Sequence, residues 1–256
     1  MKKAVLCSIV VLSFFVLAVL LDPGTCHSVG FIDKMKDKAK KAKEVIFDKE
    51  ENNSPYLLEL QEEEKVIIEL LITATNSFLE GAERILSAVG EKEKATEIKG
   101  KIKNIKEGSH DPQDLKETMN VSEENKALKE AVGKKVKLSQ KAREELREGV
   151  VWFGAGNILD VSASKKTSKF IGKLQETINN VKNNPQEYGV EVLSTTKYLK
   201  NSLELATSIS KNLKDQLPNI SITLKELIRY AVIYDLKISV AEFKRKAESI
   251  EKEEGF

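Results

Sequence analysis

The stretch Leu57–Val89 reads LLELQEEEKVIIELLITATNSFLEGAERILSAV and decides the fold. It contains no proline and one glycine, and its apolar residues recur every three to four positions, which is the period of an α-helix. Because the apolar stripe is two rows wide, with Glu64 in one core position, we expect other helices to cover it on more than one side. The rows are Leu57, Leu60, Ile67, Leu71, Ala74, Phe78 and Ile85, and Ile68, Ile72, Leu79, Ala82 and Leu86.

The composition indicates an all-α protein large enough to bury a core. Of the 256 residues, 41% are hydrophobic and 32% are charged, which is typical of a folded, charge-coated helical chain. Long antiparallel helices joined by short turns predict an elongated up-and-down helical bundle with short surface helices. We divide the chain into a signal peptide (1–28), a basic amphipathic segment with an acidic linker (29–54), a helical bundle domain (55–238) and a charged C-terminal helix (239–256).

The first 28 residues have the layout of a secretory signal. Two lysines precede an uncharged, mostly apolar run, Ala4–Leu21, and small residues follow as far as Ser28. We predict export to the periplasm or the extracellular space, with cleavage near Ser28. Two alternatives stay open: Ala4–Leu21 is an uncleaved membrane anchor, or Cys26 is lipidated, although the proline and threonine before it fit a lipoprotein signal poorly.

Two segments are candidates for contact with a membrane. Phe31–Phe47 has one apolar side flanked by lysines, which is typical of a helix on an anionic membrane surface; the favoured alternative is a solvated helix docked on the bundle. Gly149–Leu159, GVVWFGAGNIL, is uncharged and holds the only tryptophan. It is either a hydrophobic hairpin that inserts into a membrane or, as we favour, a buried section packed on Leu57–Val89. The candidate membrane-contact residues are Phe31, Lys34, Met35, Lys38, Lys41, Trp152 and Phe153.

Glycine and proline predict the ends of the other helices. Gly90 ends the first helix, and the charged stretch after it should turn back antiparallel. Residues 140–182 form a second long helix with a break near 154–157, because three glycines there each cost roughly 1 kcal/mol relative to alanine. Pro218 ends the next helix, and a separate short helix, 224–236, follows.

Residue patterns of the common enzyme and metal sites are missing from the sequence. The chain has two histidines, His27 and His110, and two cysteines, and these form no group with metal-ligand spacing. A phosphate-binding glycine loop and a Gly-x-Ser-x-Gly sequence are also missing. We therefore predict no catalytic, cofactor-binding or metal-binding residue.

The charge balance bears on the class of partner. A net charge of +2 gives no global preference for nucleic acid, and the basic runs lack the interleaved aromatic residues that stack on bases. We predict an exported, non-enzymatic helical protein that acts by contact with an unidentified protein or envelope partner. The alternative is a membrane-active protein, either pore-forming or bound to an anionic membrane surface.

Overall fold

The computed structural model describes residues 55–107, 115, 117–134, 136–188 and 192–254. No β-strand occurs within these ranges, and the all-α class is confirmed. The signal peptide, the segment 29–54 and the candidates Phe31, Lys34, Met35, Lys38 and Lys41 lie outside the described residues. The helices are α1 (Pro55–Ala88), α2 (Lys92–Glu107), α3 (Ser122–Gly133), α4 (Gln140–Asn183), α5 (Pro185–Tyr188), α6 (Val192–Ile233) and α7 (Val240–Glu254).

The three long helices α1, α4 and α6 form the centre of an up-and-down bundle. α1 and α4 are antiparallel, because Arg84 pairs with Glu148 near the end of α1 and Lys173 pairs with Glu63 near its start. α6 packs on α4 and contacts α1 through the hydrogen bonds from Tyr198 and Ser202 to Glu64. As the wide apolar stripe predicts, α1 is buried on most of its sides, and the side chains it contributes to the core include Leu57, Ile67, Leu71, Ala74, Phe78, Leu79, Ile85 and Leu86.

The turn after α1 sends α2 back along it, as predicted. Gly90 has a φ of +88°, and the N–H of Glu91 donates to the carbonyl of Leu86 at 2.9 Å. This is the hydrogen-bond pattern of a Schellman turn, in which glycine carries no steric penalty. α4 begins at a second predicted cap, where the Ser139 hydroxyl accepts from the N–H of Ala142 at 3.2 Å.

Two predicted interruptions are wrong. α4 continues through 154–157, and α6 continues through Pro218 and absorbs the predicted helix 224–236. Gly149, Gly154 and Gly156 of α4 are buried against other helices, so tertiary packing compensates for their low helix propensity. Pro218 is exposed, so water can satisfy the Lys214 carbonyl that loses its helical donor.

α7 adds the C-terminal residues to the same core. Its start is a capping box, in which the Ser239 hydroxyl and the Glu242 carboxylate bond to each other's backbone N–H at 3.4 and 2.9 Å. Phe243, Ala247 and Ile250 are buried, and α7 packs principally on α4.

Candidate functional site

A hydrogen-bonded carboxylate lies inside the interface between α1 and α6. Glu64 occupies a position in the apolar stripe of α1 and is 8% exposed. Tyr198 and Ser202, one turn apart on α6, both donate their hydroxyl protons to its Oε2, at 2.8 and 2.7 Å. Burial raises the pKa of the Glu64 carboxyl, and the two donated hydrogen bonds oppose this rise. Glu64 thus lies in the core position that the apolar row predicts, and two hydroxyl groups of α6 hydrogen-bond to it there.

Beside Glu64 the three long helices leave a small indentation. Its volume is only about 10 Å³, roughly the space of one water molecule, and it opens partly to solvent. The wall is otherwise almost wholly apolar, so the carboxylate is the main polar group that faces it. Burial raises the pKa of the Tyr198 hydroxyl far above its usual value, so this hydroxyl is a hydrogen-bond donor rather than an activated nucleophile or base. The remaining lining residues are Ile67, Ile68, Phe170, Ser202, Leu205, Ala206 and Ile209.

A second buried acid, Asp160, lies on α4. Its exposed fraction is 6%, and burial raises the pKa of its carboxyl to about 8, so the carboxyl is largely protonated at neutral pH. Asp160 lies one turn from Gly156, which closely approaches the Ala74 carbonyl of α1. It is also one turn from Asn157, whose amide lies 3.5 Å from the Ser221 hydroxyl of α6. Among the described residues, no hydrogen bond or ion pair to Asp160 is found.

The Gly149–Leu159 segment lies within α4 and packs against α1. A Cβ added at Gly81 of α1 would lie 2.6 Å from the Phe153 nitrogen and 2.7 Å from the Gly149 carbonyl oxygen. Phe153 is 2% exposed, and its ring meets that of Phe78 edge to face at 5.1 Å. Contact between Phe153 and a membrane would therefore require α4 to separate from α1.

Trp152 lies on the outer side of the same segment. Its side chain is partly buried against the core, and the Lys246 ammonium of α7 lies 3.7 Å from the centre of its ring. This is the geometry of a cation–π contact. Membrane contact by Trp152 and Phe153 stays a prediction.

Three exposed apolar side chains lie in the C-terminal half of α6, and two others, Leu58 of α1 and Leu193 at the start of α6, are exposed elsewhere. Ile222, Val232 and Ile233 are 47%, 39% and 61% exposed. Because Ile222 and Ile233 are eleven residues apart, which is three helical turns, they lie on the same side of the helix. Arg229, also exposed, falls between them. We call Ile222, Arg229, Val232 and Ile233 the outer face of α6.

Sequence patterns indicate only part of this arrangement. Glu64 is recognisable because it interrupts an apolar row. Asp160 was missed, although its spacing of four from Gly156 and three from Ala163 places it on a buried row of α4. Tyr198 and Ser202 were missed because hydroxyl residues are common on exposed helix faces.

Within the described ranges, no group of three or more histidine, cysteine or carboxylate side chains has the geometry to hold a metal ion. None of the helices in those ranges is both long and apolar enough to cross a membrane. Comparisons with protein-family models, with curated proteins and with solved structures find no match to this chain.

Proposed function

We propose that this chain is an exported, non-enzymatic helical protein that acts by contact with a protein partner in the cell envelope. The observation that supports the contact is the outer face of α6, where Val232 and Ile233 are consecutive exposed residues and Ile222 is exposed three turns earlier. Single exposed apolar residues are ordinary on a folded protein, whereas several near one another are typical of a binding surface.

The chemistry of this face indicates the kind of partner. Its aliphatic side chains flank Arg229, which supplies a positive charge between Ile222 and Ile233. A partner that fits has apolar side chains around an acidic residue, because complementary charges direct association and fix the orientation of the partner. Glu64 and Asp160, by contrast, lie inside helix contacts, where a partner does not reach them.

The contact is tested by photocrosslinking in producing cells. A photoreactive amino acid replaces Ile233, and a matched control carries it at Lys211, an exposed charged residue of α6. We expect a discrete adduct from position 233 that is lost when Ile222→Glu is added, and no such adduct from position 211. Equal adducts from both positions would contradict the proposed surface.

Export and the lack of turnover are tested separately. The mass of the N-terminus of protein recovered from cell fractions distinguishes cleavage near Ser28 from lipidation at Cys26 and from an uncleaved anchor. An uncleaved chain in the cytoplasmic fraction would contradict export. Metal-dependent hydrolytic turnover by purified protein would contradict the non-enzymatic role.

A membrane-active role is the second candidate, supported by the Trp152–Lys246 pair at the surface of the bundle. An indole next to an ammonium group is a combination found at membrane interfaces. Full-length protein is mixed with dye-loaded vesicles of anionic lipid, with neutral vesicles as the control. Leakage from the anionic vesicles would favour this candidate over protein contact, and neither binding nor leakage would remove it.

A further inference from the structure

The turn between α6 and α7 is closed at a residue that is not glycine. Asp235 has a φ of +58° and is the one non-glycine residue with a positive φ among the described residues. The N–H groups of Leu236 and Asp235 close a Schellman turn onto the carbonyls of Ala231 and Val232, both at 3.1 Å. The corresponding turn after α1 uses Gly90. Because a side chain disfavours this left-handed conformation, the α6–α7 turn is strained where the α1–α2 turn is not.

The chain around this turn is able to form a continuous helix. No glycine or proline lies between Pro218 and Gly255, so every hinge residue, 234–239, can adopt helical dihedral angles. Opening the turn returns Asp235 to the right-handed region and joins α6 to α7 as one helix. In that form α7 points away from the α4 of its own chain, and the apolar face of α7 is uncovered.

Side-chain contacts hold α7 on α4, and none of them requires that the two helices belong to the same chain. A Cβ added at Gly154 would lie 2.5 Å from the Phe243 ring, so the absence of a side chain there makes room for the ring. Arg147 forms an ion pair with Glu242, and Lys246 covers the Trp152 ring. A second copy of α7 can make every one of these contacts.

We propose that α4 of one copy binds α7 of a second copy, in a dimer that exchanges its C-terminal helices. The exchanged dimer keeps the α4–α7 contacts of the monomer and changes the hinge, where it relieves the strain at Asp235 and gives up the Ser239–Glu242 capping box; these two changes set the balance between the two forms. The proposal does not rest on the proposed function, because it concerns α4 and α7 rather than the outer face of α6.

Crosslinking between two different copies tests the exchange. Full-length chains carrying Cys7→Ser and Cys26→Ser are made with either Arg147→Cys or Glu242→Cys, unfolded in urea, mixed and refolded at increasing concentration. Only an exchanged dimer brings the two new thiols together, so we expect a disulfide-linked dimer whose yield rises with protein concentration. The control pairs Glu242→Cys with Lys99→Cys, an exposed position on α2. A yield equal to that control at every concentration would overturn the proposal.

Hinge variants separate exchange from general self-association. Glycine at position 235 should shift the equilibrium at one hinge about three-fold from the continuous helix toward the left-handed turn. A dimer contains two such hinges. We therefore expect Asp235→Gly to lower the dimerisation constant about ten-fold, and Asp235→Ala to raise it, because alanine favours the continuous helix. Sedimentation equilibrium measures both constants. Identical constants for the two variants would also overturn the proposal.

Discussion

The close approach of α1 and α4 at Gly81 allows a paired test of the packing. A Cβ at Gly81 would meet the Phe153 nitrogen at 2.6 Å and the Gly149 carbonyl oxygen at 2.7 Å. Both are backbone atoms, so no side-chain rotation relieves the contact, and the two helices must move apart. The matched control is Gly172 of α4, where an added Cβ meets nothing within 4 Å.

The same chemical change should have opposite effects at these two positions. Gly172→Ala should raise the free energy of unfolding by up to about 1 kcal/mol, the difference in helix propensity. Gly81→Ala gains the same propensity but forces an overpacked interface, and we expect a net loss of about 2–3 kcal/mol. The two variants should therefore differ by about 3–4 kcal/mol.

Urea unfolding followed by circular dichroism measures this difference. The slope of the free energy with urea concentration should stay constant, because the substitutions change stability without changing the surface exposed on unfolding. If Gly81→Ala unfolds within about 0.5 kcal/mol of Gly172→Ala, the two helix backbones are not in contact at Gly81, and the account of how α1 packs is refuted.

Three further predictions concern polar groups. The pKa of the Asp160 carboxyl is about 8 in the folded chain, above its ordinary value of 3.8. Because only the unfolded chain ionises this carboxyl between these two values, the free energy of unfolding is highest below about pH 4 and falls as the pH rises to about 8. The loss is on the order of 5 kcal/mol, and urea titrations across this range should show that Asp160→Asn removes it; an unchanged pH slope would contradict the burial. Glu64→Ala leaves the hydroxyls of Tyr198 and Ser202 without their acceptor, and should cost about 2 kcal/mol more than Glu64→Gln in the same urea assay. Equal stability of the two Glu64 variants would show that the hydroxyls find other partners. Ser139→Ala removes the cap of α4 and should lower stability by about 1 kcal/mol, measured by thermal unfolding; no loss would mean that water replaces the cap.

The parts of the fold that the sequence predicted are those where local pattern and tertiary packing agree. The apolar rows of α1 have the period of a helix and are buried in the structure, so the local pattern and the tertiary packing favour the same helix. Gly90 and Ser139 are suited to helix ends by their own chemistry, independently of the rest of the molecule.

The errors arose where tertiary contacts override local propensity. Gly154 and Pro218 disfavour a helix, yet both lie inside one because buried neighbours on either side hold the helix on the core. Asp160 and Asp235 were unpredictable for a related reason. The burial of the first depends on how α4 packs against its neighbours, and the left-handed turn at the second has no glycine to mark it.

The burial of α1 has a consequence for the newly made chain on the ribosome. Glu63 in its first turns pairs with Lys173, 110 residues later in the sequence. At about 5–20 residues per second, that partner is synthesised some 5–20 s after α1. During that interval the N-terminal part of α1, a strongly apolar helix, is not yet covered by α4. A chaperone that shields nascent apolar segments should therefore raise the yield of folded protein.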